Sequence, residues 1–124
     1  MLSDLKIHPT IPAADMERAK KFYKEKLELE PKSEHPGGLI YETGGVEFLL
    51  FPSKNAGSNP STYAGWRTDD IEATIKELKD RGVVFEEYDT PSYKTVNSVA
   101  TFGKTKSAWF KDSEGNTLGI VQMG

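Results

Sequence analysis

Ile7-His8-Pro9-Thr10-Ile11-Pro12-Ala13-Ala14-Asp15-Met16-Glu17-Arg18-Ala19-Lys20-Lys21-Phe22-Tyr23 reads as a short strand carrying one histidine, a turn and an Asp-capped amphipathic helix. The chain repeats this unit at a shift of 55 residues, where Tyr63-Ala64-Gly65-Trp66 precedes Asp70-Ile71-Glu72 and a second helix. Asp15-Met16-Glu17 falls on Asp70-Ile71-Glu72, Lys21 and Lys24 on Lys76 and Lys79, and His8 on Tyr63. Self-similarity at a fixed offset is the mark of a duplicated supersecondary unit, and everything else is organised around it.

Working outward from that stretch, the spacing predicts a first strand near Leu5–Ile11. Asp15 is a good N-cap, and Glu17 places an anion in the first helical turn, where the helix dipole favours it. Met16, Ala19, Phe22, Tyr23 and Leu27 recur at intervals of three and four, a single apolar stripe that marks core. Glu28–Glu34 and Leu39–Thr43 read as two strands joined by His35-Pro36-Gly37-Gly38, so His35 is expected at the surface. Gly44-Gly45 is a tight turn, and Val46–Phe51 is the most strongly strand-like segment. Neither glycine pair sits in a phosphate-binding pattern.

Pro52–Thr62 reads as a loop between the two units. In the second unit Tyr63–Arg67 is a strand, Asp69 or Asp70 caps a helix with the stripe Ile71, Ile75 and Leu78, and Gly82 ends it. Val83–Tyr88 is expected to be a strand. Asp89–Thr105 is irregular, and a segment of that length implies function or partial strand. Ser107–Phe110 and Leu118–Gln122 are strands about the turn Asp112-Ser113-Glu114-Gly115-Asn116. The order is strand–helix–strand–strand–strand, twice.

This order predicts an α+β fold of two βαβββ modules, about residues 5–52 and 62–123, forming one domain over residues 1–124. A helix covers one face of each four-stranded sheet, leaving the other faces to curve together around a cleft. Alternation sends Val46, Phe48 and Leu50 to the helix face and Glu47, Leu49 and Phe51 to the cleft. Matching Gly45 to Gly115 pairs Leu49 with Gly119, so His8, Leu49, Tyr63 and Gly119 become equivalent cleft positions.

Composition narrows the function classes. The 124 residues carry no cysteine, a net charge of −3 and two histidines. Thiolate chemistry and disulfides are therefore excluded, and the charge argues against nucleic acid, which needs a basic face. No segment approaches the roughly 20 apolar residues of a membrane span, and Met1–Lys6 lacks a signal-peptide core, so a cytoplasmic protein is expected.

The sequence resembles the vicinal oxygen chelate superfamily, which includes glyoxalase I, bleomycin-resistance proteins, fosfomycin-resistance enzymes and extradiol dioxygenases. The resemblance rests on His8 seven residues before Asp15, on Phe22-Tyr23, and on Trp109-Phe110-Lys111-Asp112-Ser113-Glu114-Gly115-Asn116. That last stretch is similar to the family's aromatic-x-Asp-Pro-x-Gly-Asn hairpin, with Ser113 at the usual proline. The resemblance implies a glyoxalase-like fold and a homodimer. It also implies metal ligands at His8, near Leu49, at Tyr63 and at Gly119, of which His8 alone is a competent ligand of the expected kind. A catalytic divalent metal takes about three protein ligands and an open position. His8 and Glu47 supply two, and Tyr63 is a poor third because a phenol titrates near about 10.

Two readings follow. One is a protein without metal or other cofactor that binds a small, partly aromatic or apolar organic ligand, held by Phe51, Tyr63, Tyr93, Phe102, Ser107 and Trp109. The other is a lyase, isomerase or dioxygenase of the same superfamily, using an unusual divalent-metal site or a His8–Glu47 general-base pair.

Overall fold

The computed structural model describes residues 1–124. Strand β1 (Thr10–Ala13) leads into helix α1 (Met16–Leu27), followed by β2 (Ser33–His35), β3 (Gly38–Thr43) and β4 (Val46–Pro52). The second unit comprises β5 (Ala64–Arg67), α2 (Ile71–Asp80), β6 (Thr95–Val96), β7 (Val99–Phe102), β8 (Thr105–Lys111) and β9 (Thr117–Gln122). The strands form two mixed sheets, ordered β1-β4-β3-β2 and β5-β9-β8-β7-β6.

The duplication is visible in the register. Thr10 lies opposite Leu49 in the parallel pair β1/β4, and Gly65 lies opposite Gly119 in the parallel pair β5/β9. Those are the shifts of 55 and 70 read from the sequence. Both helices are capped alike: Asp15 Oδ1 accepts the Arg18 N–H at 3.1 Å, and Asp70 Oδ1 accepts the Ala73 N–H at 3.1 Å. Helix α1 buries Ala19 and Tyr23 against Ile11, Tyr41, Phe48 and Leu50, while α2 buries Ile71 and Ile75 against Ala108, Phe110, Leu118 and Ile120. Phe48 and Leu50 are buried as alternation requires, whereas Val46, at the start of the strand, is 54% exposed.

Four expected elements differ. The first strand begins at Thr10, not Leu5. Pro9 still accepts the Leu49 N–H at 3.0 Å and Ala13 the Ser53 N–H at 2.9 Å, so the odd-numbered residues face β4. Pro9 has no N–H to continue that ladder towards Glu47, and Leu5–His8 stay unpaired. The expected strand from Glu28 starts only at Ser33, because Glu28 ends α1 in the left-handed region (φ 58°) and Leu29 N–H returns to the Tyr23 carbonyl. Val83–Tyr88 is not a strand. It touches the sheet through a bridge from Phe85 to Phe110 and a bond from Glu86 N–H to the Trp109 carbonyl.

The long irregular segment instead contains the hairpin β6/β7, which makes the second sheet five-stranded rather than four-stranded. Its two-residue turn, Asn97-Ser98, has φ of 52° and 75°, the left-handed pair that matches strand twist. Glu87 stabilises it by accepting from the Ser98 N–H, the Ser98 hydroxyl and the Thr95 hydroxyl. Beyond the Phe85 bridge the Tyr88 N–H donates to the Thr95 hydroxyl at 2.7 Å, where a ladder would need a carbonyl.

Candidate functional site

The cleft face of the second module is aromatic. Alternation along β8 buries Ala108 and Phe110 under α2 and turns Ser107 and Trp109 the other way. Phe102 shares that face through its pairing with Thr105, and the 88–93 segment folds over it. Tyr93 then lies 5.4 Å from Trp109 and 6.1 Å from Phe102, ring centre to ring centre. Tyr88 packs edge-on against both Trp109 (5.6 Å) and Tyr93 (5.5 Å). Edge-to-face and tilted contacts at this spacing satisfy the rings' quadrupoles and hold them in fixed orientations.

The structure brings Tyr93, Phe102 and Trp109, candidates from the sequence, together on one face, and Ser107 stands on the same face. Tyr88 was missed. It closes a segment that reads as strand but is not one, so no period points to its side. Burial, Glu86 and Tyr93 together raise its phenol above the usual value.

Beside Trp109 the floor is bare backbone. A Cβ on Gly65 would stand 2.9 Å from the Gly119 carbonyl oxygen, so that position accepts no side chain without movement. A Cβ on Gly119 would meet Trp109 Cδ1 at 3.5 Å, an ordinary contact. Tyr63 is half-buried, packs against the core, and its hydroxyl accepts the Asn59 N–H at 3.3 Å. Phe51 is half-buried on the first sheet.

The equivalent face of the first module is charged. A cavity of about 640 Å³ is lined by Lys6, Ile7, His8, Lys32, Glu42 and Glu47 with Gly45 and Val46, and by no residue of the second module. Lys32 bridges the two carboxylates there, at 2.6 Å from Glu42 and 2.8 Å from Glu47. The Lys32 hydrogen bond lowers the Glu47 pKa, with smaller contributions from Lys6 and His8, while the two carboxylates raise that of Lys32.

His8 is exposed ahead of β1 and shares this cavity with Glu47, but the carboxylate is hydrogen-bonded to Lys32 rather than to the imidazole. No three His, Asp or Glu side chains converge anywhere. With an ammonium already on Glu47, the residues present do not fit the divalent metal that the fold implies.

Between the two faces lies a buried polar clasp built from the Asp112–Asn116 turn. The Asp112 carboxylate accepts from the Tyr23 hydroxyl (2.8 Å), the Asn116 side chain (3.0 Å) and the Glu114 and Asn116 backbone N–H groups. The Asn116 amide donates to the Pro12 carbonyl at 2.7 Å and accepts the Gly57 N–H at 3.0 Å, tying β1 and the inter-module loop to the turn. Glu114 takes a two-pronged contact from Arg18 and the Asp15 N–H.

Burial raises the Asp112 pKa despite these bonds. Burial also pushes Glu114 up, but Arg18, the Asp15 N–H and the Ser113 hydroxyl outweigh it and bring its pKa down to about 2. The turn motif thus carries assembly of the modules rather than chemistry.

Two four- or five-stranded sheets, each backed by one helix and clasped through this turn, define a glyoxalase-type small-molecule scaffold. The family model for the Glyoxalase/Bleomycin resistance protein/Dioxygenase superfamily matches residues 7–120, and the chain belongs to that superfamily. None of the curated proteins matches the sequence significantly.

Among solved structures, a bleomycin-binding protein complexed with bleomycin shares 19% identity, with 97% of this chain and 99% of that one covered and a TM-score of 0.70. A bleomycin resistance determinant encoded on the transposon Tn5 shares 20% identity, covering 95% and 97%, with a TM-score of 0.71. TnmS3, an antibiotic-binding protein from a Streptomyces species, shares 25% identity, covering 97% and 98%, with a TM-score of 0.61.

Proposed function

We propose that this protein binds a small, planar, partly aromatic organic ligand against the aromatic face of its second module and leaves it chemically unchanged. The observation that carries this reading is the cluster of Tyr88, Tyr93, Phe102 and Trp109 beside the side-chain-free Gly65/Gly119 floor. Stacking on such a surface holds a flat ligand with few directional bonds. The bleomycin-binding and antibiotic-binding relatives support it. The reading includes no catalytic metal, since Glu47 is committed to Lys32, and a cytoplasmic homodimer in which the ligand lies between copies.

The test is thermal melting of the purified protein with bleomycin and a panel of planar aromatic compounds. At a hundredfold excess over Kd a ligand specific for the folded state adds about 2.7 kcal/mol and raises Tm. Trp109→Ala should cut that rise to about half or less and His8→Ala should leave it. Near-stoichiometric bound metal lost on His8→Ala, or no compound raising Tm, would overturn the reading. Sedimentation with and without ligand tests the dimer.

A further inference from the structure

Residues 89–94 form a short hairpin over the aromatic face. Asp89 bridges Lys94, the Thr90 N–H donates to the Tyr93 carbonyl at 2.9 Å, and the Tyr93 N–H returns to the Thr90 hydroxyl at 3.1 Å. Pro91 at the tip has a fixed φ, which stiffens the loop. The hydrogen bonds of these six residues all stay within the hairpin. Neither Asp89 nor Lys94 is ion-paired.

On either side of the hairpin the chain is anchored. The Glu86 N–H donates to the Trp109 carbonyl at 2.8 Å, and Glu87 is held by Thr95 and Ser98. The Tyr88 N–H goes to the Thr95 hydroxyl at 2.7 Å, the Thr95 N–H to the Tyr88 carbonyl at 2.8 Å, and Thr95 pairs with Ala100 in the sheet. Tyr88 and its edge-on contact with Trp109 belong to this anchored part. The hairpin itself is fastened to the sheet by one ring, that of Tyr93, which lies 5.4 Å from Trp109 and 6.1 Å from Phe102.

We propose that residues 89–94 are a lid that turns as a unit about Tyr88 and Thr95, and that in the free protein Tyr93 occupies the place on Trp109 that a flat ligand takes. Opening breaks two ring contacts and no hydrogen bond. Two aromatic pairs favour the closed form by roughly 5- to 150-fold, which leaves an open population of about 1–15%. Ligand binds through that open fraction, against Trp109, Tyr88 and Phe102, and its apparent affinity is lowered by the same fraction. As a gate the lid rests on the ligand reading above; as a moving hairpin it does not.

The motion is read without a ligand. The chain has two tryptophans, so Trp109→Phe assigns both indole N–H cross-peaks of the ¹⁵N-labelled protein. Relaxation dispersion should show exchange at the Trp109 indole and at backbone amides of 89–94. It should show none at Trp66, which lies against Phe110 on the other face of the sheet. Tyr93→Ala should abolish the exchange at Trp109. Phe102→Ala removes one of the two contacts and should raise the opening equilibrium by about two- to tenfold. No exchange at the Trp109 indole, or exchange unchanged in Tyr93→Ala, would overturn the lid.

The gate is read with 8-anilinonaphthalene-1-sulfonate, a fluorescent fused-ring dye. Tyr93→Ala should bind it at least about fivefold more tightly than the unaltered protein, because the competing ring is gone. Weaker binding to Tyr93→Ala would make Tyr93 a fixed wall and overturn the gate. Dye that binds Trp109→Ala as well as the unaltered protein, or binds neither, counts against the ligand reading, while the dispersion result decides the lid separately.

Discussion

The two modules share a plan and differ on one face. On the helix side they are alike: an Asp cap, an apolar stripe and a sheet of buried aliphatic and aromatic residues. On the cleft side the first module carries Lys32 between Glu42 and Glu47, where the second carries Tyr88, Tyr93, Phe102 and Trp109. Burial constrains the helix side, since a changed volume there leaves a cavity or a clash. The cleft side is free of that constraint, and a duplicated unit can give one copy ion pairs and the other a stacking surface.

That contrast can be broken or sharpened. The largest effect is expected from the clasp that joins the halves. Asp112→Ala strands the Tyr23 hydroxyl, the Asn116 amide and two backbone N–H groups, and should cost about 3–5 kcal/mol in urea unfolding. A loss under about 1 kcal/mol would show that the modules hold together without it.

Acid should weaken the same joint. Glu114 has its ordinary value of 4.5 when unfolded and about 2 when folded, so its contribution is complete above about pH 4.5 and disappears as pH falls towards 2. Asp112 runs the other way: its raised pKa gives a contribution present at low pH and lost as pH rises through the folded value. Tm should therefore fall between pH 4.5 and 2, and Glu114→Gln should flatten that part of the profile.

On the cleft faces, Trp109→Ala should weaken the best ligand at least about tenfold, the range for a buried aromatic anchor. Glu47→Gln should leave both ligand affinity and Tm unchanged, because its partner Lys32 is in solvent. An affinity loss with Glu47→Gln equal to that of Trp109→Ala would move the site to the first module. The smallest effect belongs to Tyr41, whose hydroxyl is buried without a hydrogen-bond partner and whose pKa burial pushes up to about 12. Tyr41→Phe removes an unsatisfied polar group and should be neutral or stabilising by up to about 1 kcal/mol in urea unfolding.

Much of this was legible in the chain. The repeat at 55 fixed both helices and their caps, and alternation placed Phe48 and Leu50 in the core. Such patterns are local: a cap needs its own third neighbour, and a strand side needs only its period. What the pattern could not supply was pairing. Leu5–His8 have strand composition but lose the ladder at Pro9, and Val83–Tyr88 keeps only the Phe85 bridge while its Tyr88 N–H goes to the Thr95 hydroxyl.

The site follows the same division. Its aromatic members, apart from Tyr88, came from residue type. That Glu47 would face Lys32 rather than His8, and that the Asp112–Asn116 turn would lock one module onto the other, required side chains separated by 15 residues and by about 100 to meet. The sequence by itself determined a duplicated βαβββ scaffold and which residues could stand on its open faces. Only the tertiary structure decided which of them meet, because hydrogen bonds and ion pairs depend on distances that no local periodicity sets.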